Sequence, residues 1–113
     1  MFQDQIVKYS LTSPGEERLY LQTTDNIYVF RDTSKSREYK IKDVSAIFKS
    51  NDNDDFILFF EASDDLHASS KKREELLQLL QLRFIKFNRN TTLRIYNIPA
   101  SELRMYIQTN SVK

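Results

Sequence analysis

Side chains that could bind phosphate groups are concentrated in one short stretch of this sequence, residues 31–42. The cations there are Arg31, Lys35, Arg37, Lys40 and Lys42, set against Asp32 and Glu38. Alternate positions of a strand project from one face, so cations with this spacing can form a surface for phosphates or for an acidic partner. The same charges also suit a solvated sheet edge, where lysine deters pairing between sheets. Both interpretations stay open.

A second group of cations falls in a stretch of the sequence without acidic residues. It consists of Arg83, Lys86, Arg89 and Arg94. This group could form a second basic surface. It could also do no more than stabilise the end of a helix, because the helix dipole favours positive charge at the C-terminus.

Catalysis and metal binding lack the residues that they need. Cysteine is absent, which excludes disulfides, thiol chemistry and zinc–cysteine sites. Asp52, Asp54 and Asp55 lack the central glycine and the closing glutamate of a calcium-binding loop. His67 has no cysteine or second histidine with which to share a metal, and it is predicted to lie in a surface loop. We therefore expect no enzymatic activity, no metal and no cofactor.

Length and charge narrow the class of protein. The 113 residues suit one domain, residues 1–113, which could be a piece of a longer protein. The net charge of +1 gives no overall attraction to nucleic acid, and the tyrosines lack the basic–aromatic spacing of an RNA-binding sheet, so no nucleic-acid partner is expected. No apolar run reaches the roughly 20 residues of a membrane-spanning helix. A cytoplasmic domain is expected, with membrane or cytoskeletal association left open.

The apolar spacing predicts one long amphipathic helix over residues 70–87. Leu76, Leu80, Phe84 and Phe87 recur at steps of three or four, with Leu77, Leu79 and Ile85 widening the stripe. Ser69 or Ser70 is the predicted N-cap. So wide an apolar face must cover another part of the chain.

Short alternating segments predict six antiparallel strands before this helix. Their ranges are 6–11, 18–23, 27–31, 38–42, 44–49 and 56–61, the last apolar enough to be covered on both faces. Residues 63–69 are predicted to be a polar approach to the helix. A twisted sheet of this size leaves an open apolar end unless something caps it. The expected fold is α+β, a pleckstrin-homology-like roll of antiparallel strands capped by the helix.

The end of the chain fits two structures. Residues 92–96 alternate as a strand, whereas residues 103–107 fit either a strand or a helix that starts after Pro99. A strand is preferred because it would share the period of its neighbour. The prediction is therefore a terminal β-hairpin.

Ordered patches over nearly the whole chain carry a resemblance to a known family. They are residues 18–30 (RLYLQTTDNIYVF), 39–47 followed by 53–58, the start of the helix at 72–80, and the terminal Leu-x-Ile…Leu-x-Met-x-Ile pattern. Together they resemble the tail-homology-1 (TH1) domain of class I myosins, a divergent pleckstrin-homology-like module. No motor or nucleotide-binding sequence accompanies them.

The resemblance implies binding to anionic membranes, chiefly to phosphoinositides, through basic residues on and around the first inter-strand loop. The matching loop, residues 12–17, carries Glu16 and Glu17 and no cation. The flanking Lys8 and Arg18 are therefore the candidates that could take the place of the family's basic residues.

Two functions follow as hypotheses. The first is a non-catalytic targeting module for phosphoinositide surfaces, with Lys8 and Arg18 joining the cations of residues 31–42 as headgroup contacts. The alternative is a protein-interaction domain of a cytoskeletal or ciliary protein without lipid binding. That domain would use an exposed sheet edge or a groove beside the helix.

Overall fold

The computed structural model describes residues 2–9, 15–31, 34–61, 64–89 and 91–110, with 34–36 and 107–110 described in their backbone alone. The described residues form eight strands and two α-helices. The strands are β1 (Phe2–Lys8), β2 (Glu16–Gln22), β3 (Asn26–Arg31), β4 (Ser34–Lys40), β5 (Val44–Ser50), β6 (Asp55–Phe60), β7 (Leu66–Ser69) and β8 (Ile95–Ile98). The helices are α1 (Arg73–Phe87) and α2 (Ala100–Asn110), and a 3₁₀ turn, Ile41–Asp43, joins β4 to β5.

The strands form one sheet in the order β4-β3-β2-β1-β7-β6-β5-β8. All pairs are antiparallel except β5 with β8, which run parallel. Short connections make successive strands neighbours in two groups, β1 to β4 and β5 to β7, and the β1–β7 pairing joins the groups. The predicted α+β roll is confirmed.

The core lies between the inner face of this sheet and α1. Leu76, Leu80 and Phe84 of the helix are buried against inward strand residues such as Tyr20 and Leu58. The predicted helix is confirmed, although Lys72 occupies its N-cap in place of Ser69 or Ser70. The Ser70 hydroxyl instead accepts from the Lys72 amide at 3.1 Å and donates to Asp4. The helix thus caps the roll, as predicted.

The segment predicted as a polar approach to the helix contains a strand. Leu66–Ser69 forms β7, and His67 lies opposite Ile57 of β6. The surface-loop prediction for His67 is wrong, because only 7 % of the residue is exposed. Four residues give too short an alternation to be recognised in sequence.

The predicted terminal β-hairpin is wrong. Residues 95–98 form β8, which adds to the edge of β5, and the next segment is the helix α2. Two contacts start α2: the Ala100 amide donates to Asp52 Oδ1 at 2.9 Å, and the Leu103 amide donates to the Pro99 carbonyl at 3.1 Å. Leu103 is buried whereas Met105 is 61 % exposed, which a strand with both facing inward could not produce.

Strand β6 is covered on both faces, as its apolar sequence predicted. Phe56 and Leu58 face the main core, whereas Ile57 is also fully buried but lies outside that cluster. Helix α2 packs over β5 and β6, and the Tyr106 ring makes edge contacts with Phe48 and Phe59.

Candidate anion-binding site

Three cations from three strands meet on the inner face at one end of the sheet. Arg18 pairs across the β1–β2 ladder with Ile6, and Arg37 pairs across the β3–β4 ladder with Val29. Paired residues share a face and strand positions alternate, so Lys8 is on the face of Ile6. Ile6 and Val29 are core residues. The cations therefore extend the inward rows of the strands beyond the apolar core.

The three positive charges act on one another. The pKa of Lys8 is lowered from 10.5, first by burial and then by the guanidinium groups of Arg37 and Arg18. Asp64 and Glu16 oppose this shift. At Lys8 the two guanidinium groups outweigh Asp64 and Glu16, so positive potential remains there. An anion placed among these cations would relieve that repulsion.

Each of the two arginines forms an ion pair with a carboxylate. Glu16 pairs with Arg18, and Asp64 pairs with Arg37. The Arg37 pKa is raised, first by the neighbouring Tyr39 hydroxyl and then by the hydrogen bond that Arg37 donates to Asp64. The Asp64 side chain is 82 % exposed. Exposed ion pairs of this kind contribute about 1 kcal/mol or less, so a multiply charged ligand can displace the carboxylate.

Two of the other cations of residues 31–42, Lys40 and Lys42, do not join this group. Lys40 pairs with Asn26 beside the β2–β3 turn, three positions along β4 from Arg37 and thus on the opposite face of the strand. Lys42 is exposed in the 3₁₀ turn, whereas Arg31 is exposed at the end of β3, two positions from Val29 and thus on the same inner face. Lys35 lies in the part of β4 described in backbone alone. Lys40 and Lys42 therefore lie apart from the three cations of the site.

The members of the second basic group also differ in their surroundings. Arg83 donates to the carbonyls of Gln22 and Thr23 at 2.9 and 2.7 Å, so it fastens α1 to the β2–β3 turn. Lys86, Arg89 and Arg94 are exposed. These three make no ion pair with another described residue, so they are accessible to a ligand.

Sequence reasoning missed the acidic partners of the site. Glu16 was noted as an acid in the first loop, but only the strand register sets it opposite Lys8. Asp64 is 27 positions from Arg37, and no local pattern indicates that contact. Tyr39 is buried beside Arg37.

Two further classes of site are absent from the described part of the chain. No group of three or more histidine, aspartate or glutamate side chains there could hold a metal ion. Neither α-helix, so far as the described residues extend, is long and apolar enough to span a bilayer.

Comparisons with known proteins identify the fold. Neither a family model nor a curated protein sequence matches the chain. Among solved structures, the PH domain of human oxysterol binding protein-related protein 11 is similar, with a TM-score of 0.66 and 12 % identity over 80 % of this chain and 86 % of that one. The N-terminal PH domain of human ARAP2 is similar with a TM-score of 0.68 and 10 % identity, over 80 % of this chain and 84 % of that one. The PH domain of human TBC1 domain family member 2 is similar with a TM-score of 0.64 and 13 % identity, over 80 % of this chain and 85 % of that one. At such low identity the likeness establishes the fold alone, and that fold is PH-like.

Proposed function

We propose that this chain is a non-catalytic module that binds anionic phosphate-bearing headgroups, phosphoinositides foremost, at Lys8, Arg18 and Arg37. The observation that carries the proposal is their convergence, from three different strands, on the inner face at one end of the sheet. Arginine binds phosphate oxygens in a bidentate manner, and lysine adds a point charge. The PH-like fold is consistent with a lipid- or protein-binding module.

The two acids at the site set the kind of anion that it would accept. Glu16 and Asp64 already neutralise part of the positive charge, so a lipid with one negative charge gains little there. A headgroup with several phosphates can displace both carboxylates and satisfy all three cations together. We therefore propose weak binding that is selective for multiply phosphorylated headgroups.

The wider setting belongs to the same proposal. We infer one PH-like domain over residues 1–113, related to the TH1 modules that its sequence resembles. It would act at the cytoplasmic face of a membrane, where anionic lipids are concentrated. Association with the cytoskeleton would follow from the kinship to TH1 domains.

A second candidate function is protein binding by strand addition. Strand β4 is one edge of the sheet in the described part of the chain, whereas β8 already covers the edge of β5. An extended segment of a cytoskeletal or ciliary protein could pair with β4 through backbone hydrogen bonds. This function requires no lipid.

Vesicle co-sedimentation at two salt concentrations separates the two functions. We expect vesicles with a phosphoinositide bisphosphate to bind more than phosphatidylserine vesicles of equal total charge, and high salt to weaken that binding. Arg37→Glu should abolish it. Lys42→Glu makes the same change of charge at an exposed position outside the site and should leave it unchanged.

Two results would overturn the lipid proposal. One is the absence of binding at low salt, where attraction is strongest. The other is equal loss in Arg37→Glu and Lys42→Glu, which would mean that net charge, and not this site, attracts the membrane. Either result would leave strand addition at β4 as the function to test.

A further inference from the structure

Helix α1 is apolar on two opposite faces. Leu76, Leu80 and Phe84 point into the core, whereas Leu82 is 62 % exposed and Ile85 is 47 % exposed. A helix that is apolar all round is normally buried all round. The core accounts for only one face of α1, so the second apolar face is available to a partner.

The second face of α1 borders a groove and is not flat. The groove has a volume of about 350 Å³. The helix forms one wall and the chain before β8 forms the other. Its lining residues are Gln78, Gln81, Leu82, Ile85, Thr92 and Leu93. Leucine and isoleucine provide the apolar surface, and the two glutamines and the threonine can donate or accept hydrogen bonds. This shape suits an inserted peptide better than a planar surface.

Three exposed cations are neighbours in sequence of residues that line the groove. Lys86, Arg89 and Arg94 are exposed close to Ile85 and Leu93 in the chain, and no ion pair within the described residues uses them. Residues 76–99 contain no aspartate or glutamate. Glu75 lies on the helix before Gln78. The complementary ligand is therefore apolar along one side and acidic where it meets these three cations.

We propose that this groove binds an acidic amphipathic segment of a partner protein, with its apolar side chains on Leu82 and Ile85 and its carboxylates on Lys86, Arg89 and Arg94. Helix-in-groove recognition is a recurrent way of binding such segments. A second copy of this chain fits less well, since pairing two identical faces would bring the same three cations together.

The position of the groove separates it from the anion-binding site. Arg83 anchors α1 at Gln22 and Thr23, where the β1–β2 ladder ends with the pair of Phe2 and Gln22. The pair of Lys8 and Glu16 closes the other end of that ladder, six residues away, or roughly 20 Å. A flat bilayer that meets one end would leave the helix accessible to a protein. The groove therefore does not depend on lipid binding.

Titration with defined peptides tests the proposal on the full chain by NMR. The probe is a synthetic peptide of about 18 residues, or about five helical turns, with leucine along one face and glutamate elsewhere. One control peptide has the same composition with the leucines spread around the helix, and a second has lysine in place of glutamate. We expect the probe alone to shift the amides of Gln78, Leu82, Ile85 and Thr92.

Paired variants identify the contribution of each part of the surface. Leu82→Gln combined with Ile85→Gln should weaken binding of the probe by at least about tenfold, whereas Met105→Gln, at an equally exposed apolar residue of α2, should not. Lys86→Glu combined with Arg89→Glu should weaken binding of the acidic probe and strengthen binding of the lysine peptide. Lys71→Glu combined with Lys72→Glu makes the same charge change before α1 and should have little effect.

Four outcomes would overturn the inference. They are the absence of localised shifts with the probe, equal affinity for the control peptide with dispersed leucines, loss of anionic-vesicle binding in the Leu82→Gln and Ile85→Gln variant, and a concentration-dependent dimer that this variant abolishes. The third would assign the face to membranes, and the fourth would assign it to a second copy of the chain.

Discussion

Arg83 and Gln22 are 61 positions apart in the chain, yet the Arg83 guanidinium donates to the Gln22 carbonyl at 2.9 Å. The same nitrogen donates to the Thr23 carbonyl at 2.7 Å. These two carbonyls lie where β2 ends, and the helix needs an attachment there to cap the roll. Arg83 therefore has a structural task that its neighbours in the second basic group lack.

Removing the Arg83 guanidinium should destabilise the fold. Arg83→Ala leaves two carbonyls without their charged donor, and hydrogen bonds of this kind contribute about 2 kcal/mol. We expect the free energy of unfolding in urea to fall by about that amount. Lys86→Ala removes an exposed cation from the same helix and should change it by less than about 0.5 kcal/mol. Equal effects in the two variants would contradict the structural role of Arg83.

His67 should make the protein less stable in acid. Burial lowers the pKa of His67 to about 4, below its ordinary 6.5, and the described part of the chain gives Nδ1 no hydrogen-bond partner. The unfolded chain therefore takes up a proton near pH 6.5 that the folded chain refuses until about pH 4. The stability present above pH 6.5 is lost as the pH falls through this window, by up to about 3 kcal/mol.

Urea unfolding of the wild type and His67→Leu across this pH range checks the assignment. The loss between pH 6.5 and 4 should be smaller in the variant. The comparison with the variant is needed because other groups also titrate in acid. Burial raises the pKa of Asp55, so the effect of Asp55 on stability opposes that of His67. Hydrogen bonds from Lys49 and Arg73 lower the pKa of Glu74, so Glu74 also reduces stability in acid. Parallel pH profiles for the two proteins would show that His67 is not the origin.

Asp52 should hold the start of α2. Its Oδ1 accepts from the Ser50 hydroxyl at 2.6 Å and from the Ala100 amide at 2.9 Å, and these two bonds, in that order, lower the pKa of Asp52. Asp52→Ala removes the acceptor, so the first turn of α2 should fray. Faster hydrogen exchange at the Leu103 amide would report this, since that amide bonds to the Pro99 carbonyl.

Two comparisons make the Asp52 prediction specific. Asp54→Ala removes an exposed carboxylate from the same hairpin loop and should leave exchange at Leu103 unchanged. Lowering the pH below the depressed pKa of Asp52 protonates the carboxylate and should reproduce the effect of Asp52→Ala in the wild type, because a neutral acceptor is weaker. Unchanged exchange at Leu103 in Asp52→Ala would exclude the capping role.

Much of the roll could be predicted because its long elements have clear periods. The apolar steps of α1 and the alternation of β2, β3 and β5 reflect one buried face, whereas the apolar run of β6 reflects burial of both faces. Strand β7 was missed because four residues that include a histidine carry little of this signal. The prediction for the end of the chain was wrong because Leu103 and Ile107 fit both the strand period and the helix period. The contact that favours the helix comes from Asp52, which is distant in sequence.

The candidate site was less predictable than the fold. A run of cations in sequence indicates a charged strand, but the faces of β4 separate Arg37 from Lys40. Lys8 and Arg18 were predicted as site residues from the resemblance to TH1 domains, because no local pattern indicates them. The pairing of Asp64 with Arg37 depends on the loop between β6 and β7 meeting β4, which only the folded chain specifies.

Asp64 should restrain anion binding, so its removal should strengthen it. The carboxylate pairs with Arg37 and opposes the positive field at Lys8. Asp64→Asn keeps the size of the side chain but frees the guanidinium for a phosphate group. We expect several-fold more co-sedimentation with bisphosphorylated phosphoinositide vesicles and a steeper dependence on salt, because one more cation contacts the lipid. Asp54→Asn makes the same change in net charge in the β5–β6 hairpin and should alter binding little. If both variants gained equally, overall charge would be the cause, and the pairing of Asp64 with Arg37 would have no part in headgroup binding.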